Sequence, residues 1–396
     1  MRTLTLVSTG LIDQPDRKTI RQLEARDEYP RTLFYEDELH SDILDERAVR
    51  KAPLPWRVVY ALLPVSFAQV IEAYRLRRRY DVVISWSPRL GLLFALLLKL
   101  TRSQTRHVAL MSWISAPRKA FLLKHGHSHI HRLVLWSSVQ RNFAVHRLGI
   151  PEHKIALVRR RADQLFWRPM DTPTDMISSA GQEMRDFVTL VEALRPTGIR
   201  CHIATGALGR RPFATVRALE RLKPLPPHIT VGKMNYVELR RLYARSRFIV
   251  VPLLPSDTDN GAGLIEAAMA MGKPVICSRT QGQVDIIIPG KTGIFVSPGD
   301  PVALREAIVR LWNDPSRAQE MGREARKELE LHHTLDRFVA DVKAIVLQEC
   351  SSNPGGPRQG QGSRSPEAGN PGISSRPGTG QATAERRASE LLEEHH

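Results

Sequence analysis

Residues 249–299 limit the possible folds of this chain more than any other stretch. Ile249-Val250-Val251-Pro252-Leu253 leads into Pro255-Ser256-Asp257-Thr258-Asp259-Asn260-Gly261-Ala262-Gly263. An Ala/Met-rich segment from Leu264 to Gly272 comes next, and then Lys273-Pro274-Val275-Ile276-Cys277. Two β-branched apolar runs around a polar turn and a short helix predict strand–loop–helix–strand, the repeating unit of a parallel sheet. In such sheets ligands bind where loops leave the carboxyl ends of strands. Glycine lets a backbone come close to a ligand, and unpaired amides opening a helix favour an anion. The candidate binding stretch is therefore Asn260, Gly261, Ala262, Gly263 and Leu264. Glu266 is the one carboxylate on an otherwise apolar helix. Two readings stand for it, a solvated or capping Glu at a helix start and a carboxylate that accepts hydrogen bonds from a ligand's hydroxyls.

The same alternation recurs along the chain. Residues 2–8 read as a first strand, Asp81–Trp86 as a buried strand, Leu90–Leu100 as a helix, and His107–Met111 and Leu133–Trp136 as strands, with a helix near 140–148. After the Pro and Thr residues between Pro169 and Pro173, a second series begins. Met176–Ala180 is a strand, Gly181 a turn and Thr189–Leu194 a helix, with strands at Ile199–Ala204 and His228–Val231 and an amphipathic helix over Val237–Ala244. Two doubly wound α/β domains are expected, residues 1–170 and 171–334, with helices from Val302 to about Gln348. A last helix, 335–349, is placed to cross back to the first domain. From residue 350 on, Gly, Pro, Ser, Gln and Arg dominate, a composition that cannot bury a core, so 350–396 is expected to be disordered. The origin of the closing His395-His396 is left open.

Gly-x-Gly-Leu-Ile-Glu-Ala-Ala-Met-Ala-Met-Gly-Lys-Pro-Val-Ile resembles the donor-site signature of GT-B glycosyltransferases, in particular the retaining group called family 4. Gln281–Ile287 and Pro289–Val296 resemble the segments downstream of that signature in the family, and Leu148–Val158 with Ala162–Pro169 resembles the end of its acceptor domain. The resemblance implies two Rossmann-like domains about one cleft. It also implies sugar transfer from a nucleotide-diphosphate-sugar to an acceptor hydroxyl, with retention and without a metal or other cofactor. It implies that Glu266 binds the ribose and that Gly181, Gly261, Gly263 and Arg185 face the diphosphate. The loop near Lys233–Tyr236 would then lie under the base. The family's earlier Glu, eight residues before Glu266, is Thr258 here, which leaves the flanking Asp257 or Asp259 for the sugar. Candidate catalytic residues are thus Asp257, Asp259 and Glu266. Gln182 replaces the usual Arg after the glycine, leaving Arg185 as the remaining cation, with pairing to Asp186 as its alternative role. On the acceptor side a Thr9-Gly10 pair stands where family members often carry Gly-Gly. Ser112-Trp113 stands where many place a His.

Charge constrains the partner. The net charge is +17, and residues 47–170 hold 23 Lys/Arg against four acids, Glu72, Asp81, Glu152 and Asp163. An anionic membrane surface, a solvated face and a nucleic-acid surface compete as explanations. No nucleic-acid module or run of stacking aromatics accompanies the charge. Lipid head groups fit the Arg75–Arg79 and Arg118-Lys119 clusters beside Phe121-Leu122-Leu123. The acceptor is therefore expected to be a glycan or a lipid, and the location cytoplasmic, peripheral on the inner face of the plasma membrane. No apolar run approaches the ~20 residues of a span. The cysteines, Cys201, Cys277 and Cys350, are far apart and read as thiols of a reducing compartment. His125, His127, His129 and His131 alternate as strand residues on one face would, but a charged loop is preferred to a metal site because no second cluster completes the coordination. Two further readings are a non-catalytic, membrane-associated nucleotide-sugar binder and a nucleic-acid-binding protein with a doubly wound core.

Overall fold

The computed structural model describes residues 1–8, 15–205 and 214–351. The Thr9-Gly10 pair and the segment 352–396, with its expected disorder and terminal histidines, lie outside them. Two six-stranded sheets organise the chain. The first contains β1 (Thr3–Val7), β2 (Ser41–Leu44), β3 (Val82–Trp86), β4 (His107–Leu110), β5 (Arg132–Leu135) and β6 (Ile155–Leu157), in the order β2-β1-β3-β4-β5-β6. The second contains β7 (Met176–Ala180), β8 (Cys201–Ala204), β9 (Ile229–Gly232), β10 (Ser246–Val251), β11 (Val275–Ser278) and β12 (Gly293–Val296), in the order β12-β11-β10-β7-β8-β9. Neighbouring strands are parallel throughout both.

Parallel sheets are covered on both faces, so their strands read as continuous apolar runs. Val82, Val83 and Ile84 in β3 and Phe248 to Val251 in β10 are fully enclosed accordingly. Each strand order reverses direction once, between β1 and β3 and between β7 and β10, and at such a switch point the outgoing loops diverge and open a crevice. In the second sheet those loops start at Gly181 and at Pro252, which fixes where a ligand can enter.

The chain passes from the first sheet to the second near Ala162 and returns near His333. The two passages are paired: the Ala162 amide donates to the His333 carbonyl (3.0 Å) and the Leu335 amide to the Ala162 carbonyl (2.9 Å). The helix Leu335–Ser351 then buries Leu335, Phe338, Val339, Val342 and Val346, a helical stripe, against Val82, Ile84, Val108, Leu110 and Val134 of the first sheet. Cys350 and Ser351, expected to belong to the tail, are its last two residues. The four histidines do not lie on a strand. His125 lies in the last turn of the helix Pro117–Gly126, His127–His129 is a 3-10 turn, and His131 precedes β5. Among the described residues no group of three or more His, Cys, Asp or Glu could hold a metal ion.

Candidate donor site at the switch point of the second sheet

Gly261 opens the helix Ala262–Ala270 at φ 90°, a left-handed backbone that glycine adopts without penalty. Gly181, after β7, sits at φ 105°. Both close on one guanidinium. A Cβ on Gly181 would lie 2.5 Å from Arg185 Nη2, and one on Gly261 would lie 3.7 Å from Arg185 Cζ. Arg185 is buried, and its Nε and Nη1 donate to the Ala180 (3.0 Å) and Glu183 (2.8 Å) carbonyls. It does not pair with Asp186, which instead caps the helix Phe187–Leu194 through the Thr189 amide and hydroxyl. The structure brings Gly181, Gly261 and Arg185 together, and main-chain oxygens hold the cation beside the two glycines. Of the amides expected to face an anion, Ala262 donates to the Asp259 carbonyl (3.1 Å) and Leu264 to that of Gly261 (3.0 Å).

Glu266 is neither solvated nor a cap. It is fully buried, and neither carboxylate oxygen has a hydrogen-bond partner. Burial pushes its pKa up to about 8, against the pull of Arg160 and Arg161 and with a push from Asp259. The nearest ionisable groups are Arg160, with Nε at 3.9 Å, and His333, with Nδ1 at 3.8 Å. The His333 ring is itself buried and held neutral, pushed down to about 4. A buried carboxyl without a partner costs free energy unless a ligand completes it. Hydrogen-bond partners are what both of its oxygens lack.

The loop before the helix is braced from two sides. Thr258 is buried, its hydroxyl 2.6 Å from that of Ser256 and bonded by the Asn260 amide. Gly282 packs against the Thr258 main chain so tightly that a Cβ there would lie 1.7 Å from the Thr258 carbonyl oxygen. Gln283 donates to the Asn260 carbonyl (2.5 Å). From the first sheet's side, Gln140 Nε2 donates to the Asp257 carbonyl (3.2 Å) while its Oε1 accepts from the Ile114 amide (2.6 Å). The Asp285 carboxylate caps the helix Ser138–His146 from across the cleft, accepting from the Ser138 amide and hydroxyl at 2.7 Å each.

Sequence reasoning missed Arg160 and His333. Arg160 pairs with Asp259 and lies 3.9 Å from where a Cβ on Gly263 would stand, so its guanidinium spans the glycine loop and Glu266. In the sequence it is one of three arginines in a basic run, and its meaning comes only from the crossing at Ala162. Asp259, one of the two candidates for the sugar, is thus engaged by Arg160, whereas the Asp257 contact to the first sheet runs through its carbonyl. Trp113, three residues beyond β4, holds a left-handed φ of 49° with the Lys119 ammonium 4.9 Å from its ring. Tyr236 opens the helix Tyr236–Arg245 and meets the Tyr29 ring edge-on at 4.6 Å.

Residues 178–314 match the family model described as glycosyl transferases group 1. Among curated proteins, the D-rhamnosyltransferase WbpZ of Pseudomonas aeruginosa is 47% identical over 96 residues, 24% of this chain and 25% of that protein. The chain spans less than half the length of the curated relatives it matches. Among the solved structures that share the fold, two serve as examples. Sucrose-phosphate synthase from Thermosynechococcus elongatus is similar with a TM-score of 0.67 at 17% identity, over 89% of this chain and 100% of the other. Anabaena HepE in complex with UDP-glucose is similar at 0.64 and 14%, over 89% and 100%. The architecture is the GT-B fold.

Proposed function

We propose, from the GT-B fold and the group 1 match of the second sheet's segment, that this chain is a glycosyltransferase. It would move a sugar from a nucleotide-diphosphate donor to an acceptor hydroxyl, with retention at the anomeric carbon. The observation that carries the reading is Glu266: a buried, unpartnered carboxyl one turn beyond the Gly261–Gly263 loop, at the switch point of a parallel sheet. Ribose hydroxyls would supply the missing donors. Gly181 and Gly261 would let the diphosphate approach Arg185, and Arg160 would add charge from the other side as the leaving group departs. Asp257 is the carboxylate left to meet the sugar, since Thr258 carries none and Asp259 is held by Arg160. Contacts such as Asp285–Ser138 would hold the cleft shut over the donor and so limit hydrolysis. The acceptor is read as a glycan or a lipid, taken up from the first sheet's side.

A donor panel tests this. HepE is seen with UDP-glucose, so uridine donors come first, with release of the nucleoside diphosphate measured beside calorimetry. Turnover with one donor and loss of at least about tenfold affinity in Glu266→Ala are expected. Thr258 in place of a carboxylate favours one rival, a binder without turnover. Tight nucleotide binding with no transfer to any glycan or lipid acceptor would decide for it.

A further inference from the structure

We propose that the face formed by residues 50–67 docks the first sheet's side of the molecule onto an anionic lipid surface. The helix Leu54–Ala61 and the turn into the helix Val65–Leu76 present Leu54, Trp56, Val58, Val59, Leu62 and Phe67 to solvent, Leu62 with 83% of its surface exposed. Tyr60 alone turns inward from the first of these helices. Its hydroxyl donates to Glu72 Oε2 (2.7 Å), and Arg75 closes on the same carboxylate at 2.6 Å. The following helix is anchored through Ala68, Val70 and Ala73. The apolar side chains are thus held outward on a fixed support.

Charge identifies the occupant. Residues 47–71 contain Arg47, Arg50, Lys51 and Arg57 and no Asp or Glu, and all four cations are exposed. A second copy would bring two such sets of cations together, an arrangement that like charge opposes. An anionic bilayer offers both halves of the complement, an apolar boundary layer for Leu54, Leu62 and Phe67 and negative head groups for the rim. Trp56, with the Arg75 guanidinium 5.8 Å from its ring, is the residue type that settles at head-group level. No described helix is long and apolar enough to cross a membrane, so the contact is interfacial.

The surface differs from the one the sequence suggested. In Phe121-Leu122-Leu123, Leu123 is fully buried and only Phe121 is markedly exposed. The proposed face also adjoins a cavity. Arg47, three residues before Arg50, lines a cavity of about 270 Å³ with Ser8, Trp86 and Arg161 at the carboxyl ends of β1 and β3. Docking would set that cavity beside the lipid.

The test is co-sedimentation of the full chain with phosphatidylcholine vesicles, with and without phosphatidylglycerol. Binding is expected to need phosphatidylglycerol and to fall as salt approaches ~1 M. Leu54→Ser/Leu62→Ser/Phe67→Ser and Arg50→Gln/Lys51→Gln/Arg57→Gln should each lower partitioning at least about tenfold. Arg118→Gln/Lys119→Gln/Lys124→Gln should leave it within about twofold. All three should keep the wild-type melting temperature, because the replaced side chains are peripheral. Three results overturn the proposal: no binding to phosphatidylglycerol vesicles, undiminished binding by the 54/62/67 variant, or a dimer that this variant dissolves without any vesicle binding.

Discussion

Replacing Glu266 by Gln should make the protein more stable at alkaline pH while it loses its ligand. In the fold the carboxyl keeps its proton up to about pH 8, whereas the ordinary value is 4.5. Between those values the folded state binds more protons than the unfolded state, so stability falls as pH rises through that window and levels off above it. At about 1.36 kcal/mol per pH unit, the interval caps the effect at about 5 kcal/mol. Solvent screening does not discount it, because the group is fully buried. Glutamine keeps the shape and removes the ionisation. His333, neutral above about pH 4 in the fold, contributes equally to both proteins and cancels in the difference. Urea unfolding at pH 5 and pH 8.5 measures it. The variant should gain under about 1 kcal/mol at pH 5 and between about 2 and 5 kcal/mol at pH 8.5, with nucleotide affinity at least about tenfold weaker. Equal stabilities at both pH values would show that Glu266 ionises freely and that its enclosure carries no cost.

The same geometry sets three further outcomes. Gly282→Ala places a methyl against the Thr258 carbonyl, a main-chain atom that cannot rotate away. It should cost about 1–3 kcal/mol in thermal unfolding and weaken donor binding through the displaced loop. Arg160→Ala removes the cation that most lowers the Glu266 pKa; the fall in stability with rising pH should continue to a higher pH before it levels off, and donor affinity should fall with KM affected more than folding. Asp285→Ala uncaps the helix Ser138–His146 from across the cleft. A loss of about 0.5–2 kcal/mol should appear with a larger radius of gyration in solution scattering, because the contact that is lost joins the two sides.

Much of this architecture could be read from the chain because parallel strands are enclosed on both faces. Val82–Trp86 and Phe248–Val251 announce themselves by composition alone, and the helix Ala262–Ala270 by its isolated Glu266. The region between residues 17 and 76 gives a weaker signal. The helix Arg17–Ala25 buries only Ile20, and β2, with sequence Ser-Asp-Ile-Leu, is an edge strand half open to solvent. Glu266 is legible as a candidate site residue, but its surroundings are not. Arg160 and His333 lie over a hundred and over sixty residues away in sequence, and they reach it only because the chain crosses twice at one place. Arg185 stands out as a candidate phosphate ligand only by elimination, and nothing local reveals that main-chain oxygens hold it.

The packing of the helix Leu335–Ser351 on the first sheet has a consequence for synthesis. Everything up to β6 leaves the ribosome long before Phe338 does, so one face of that sheet, including Ile84, Val108 and Val134, waits uncovered while the whole second sheet is made. A nascent or truncated chain ending after the first crossing displays this bare apolar surface and depends on chaperones or aggregates. A fragment ending at residue 170 should collect in inclusion bodies, and supplying residues 333–351 as a separate peptide should return part of it to solution. The two halves of the molecule are thus not independent products of translation: the first to be made is the last to be finished.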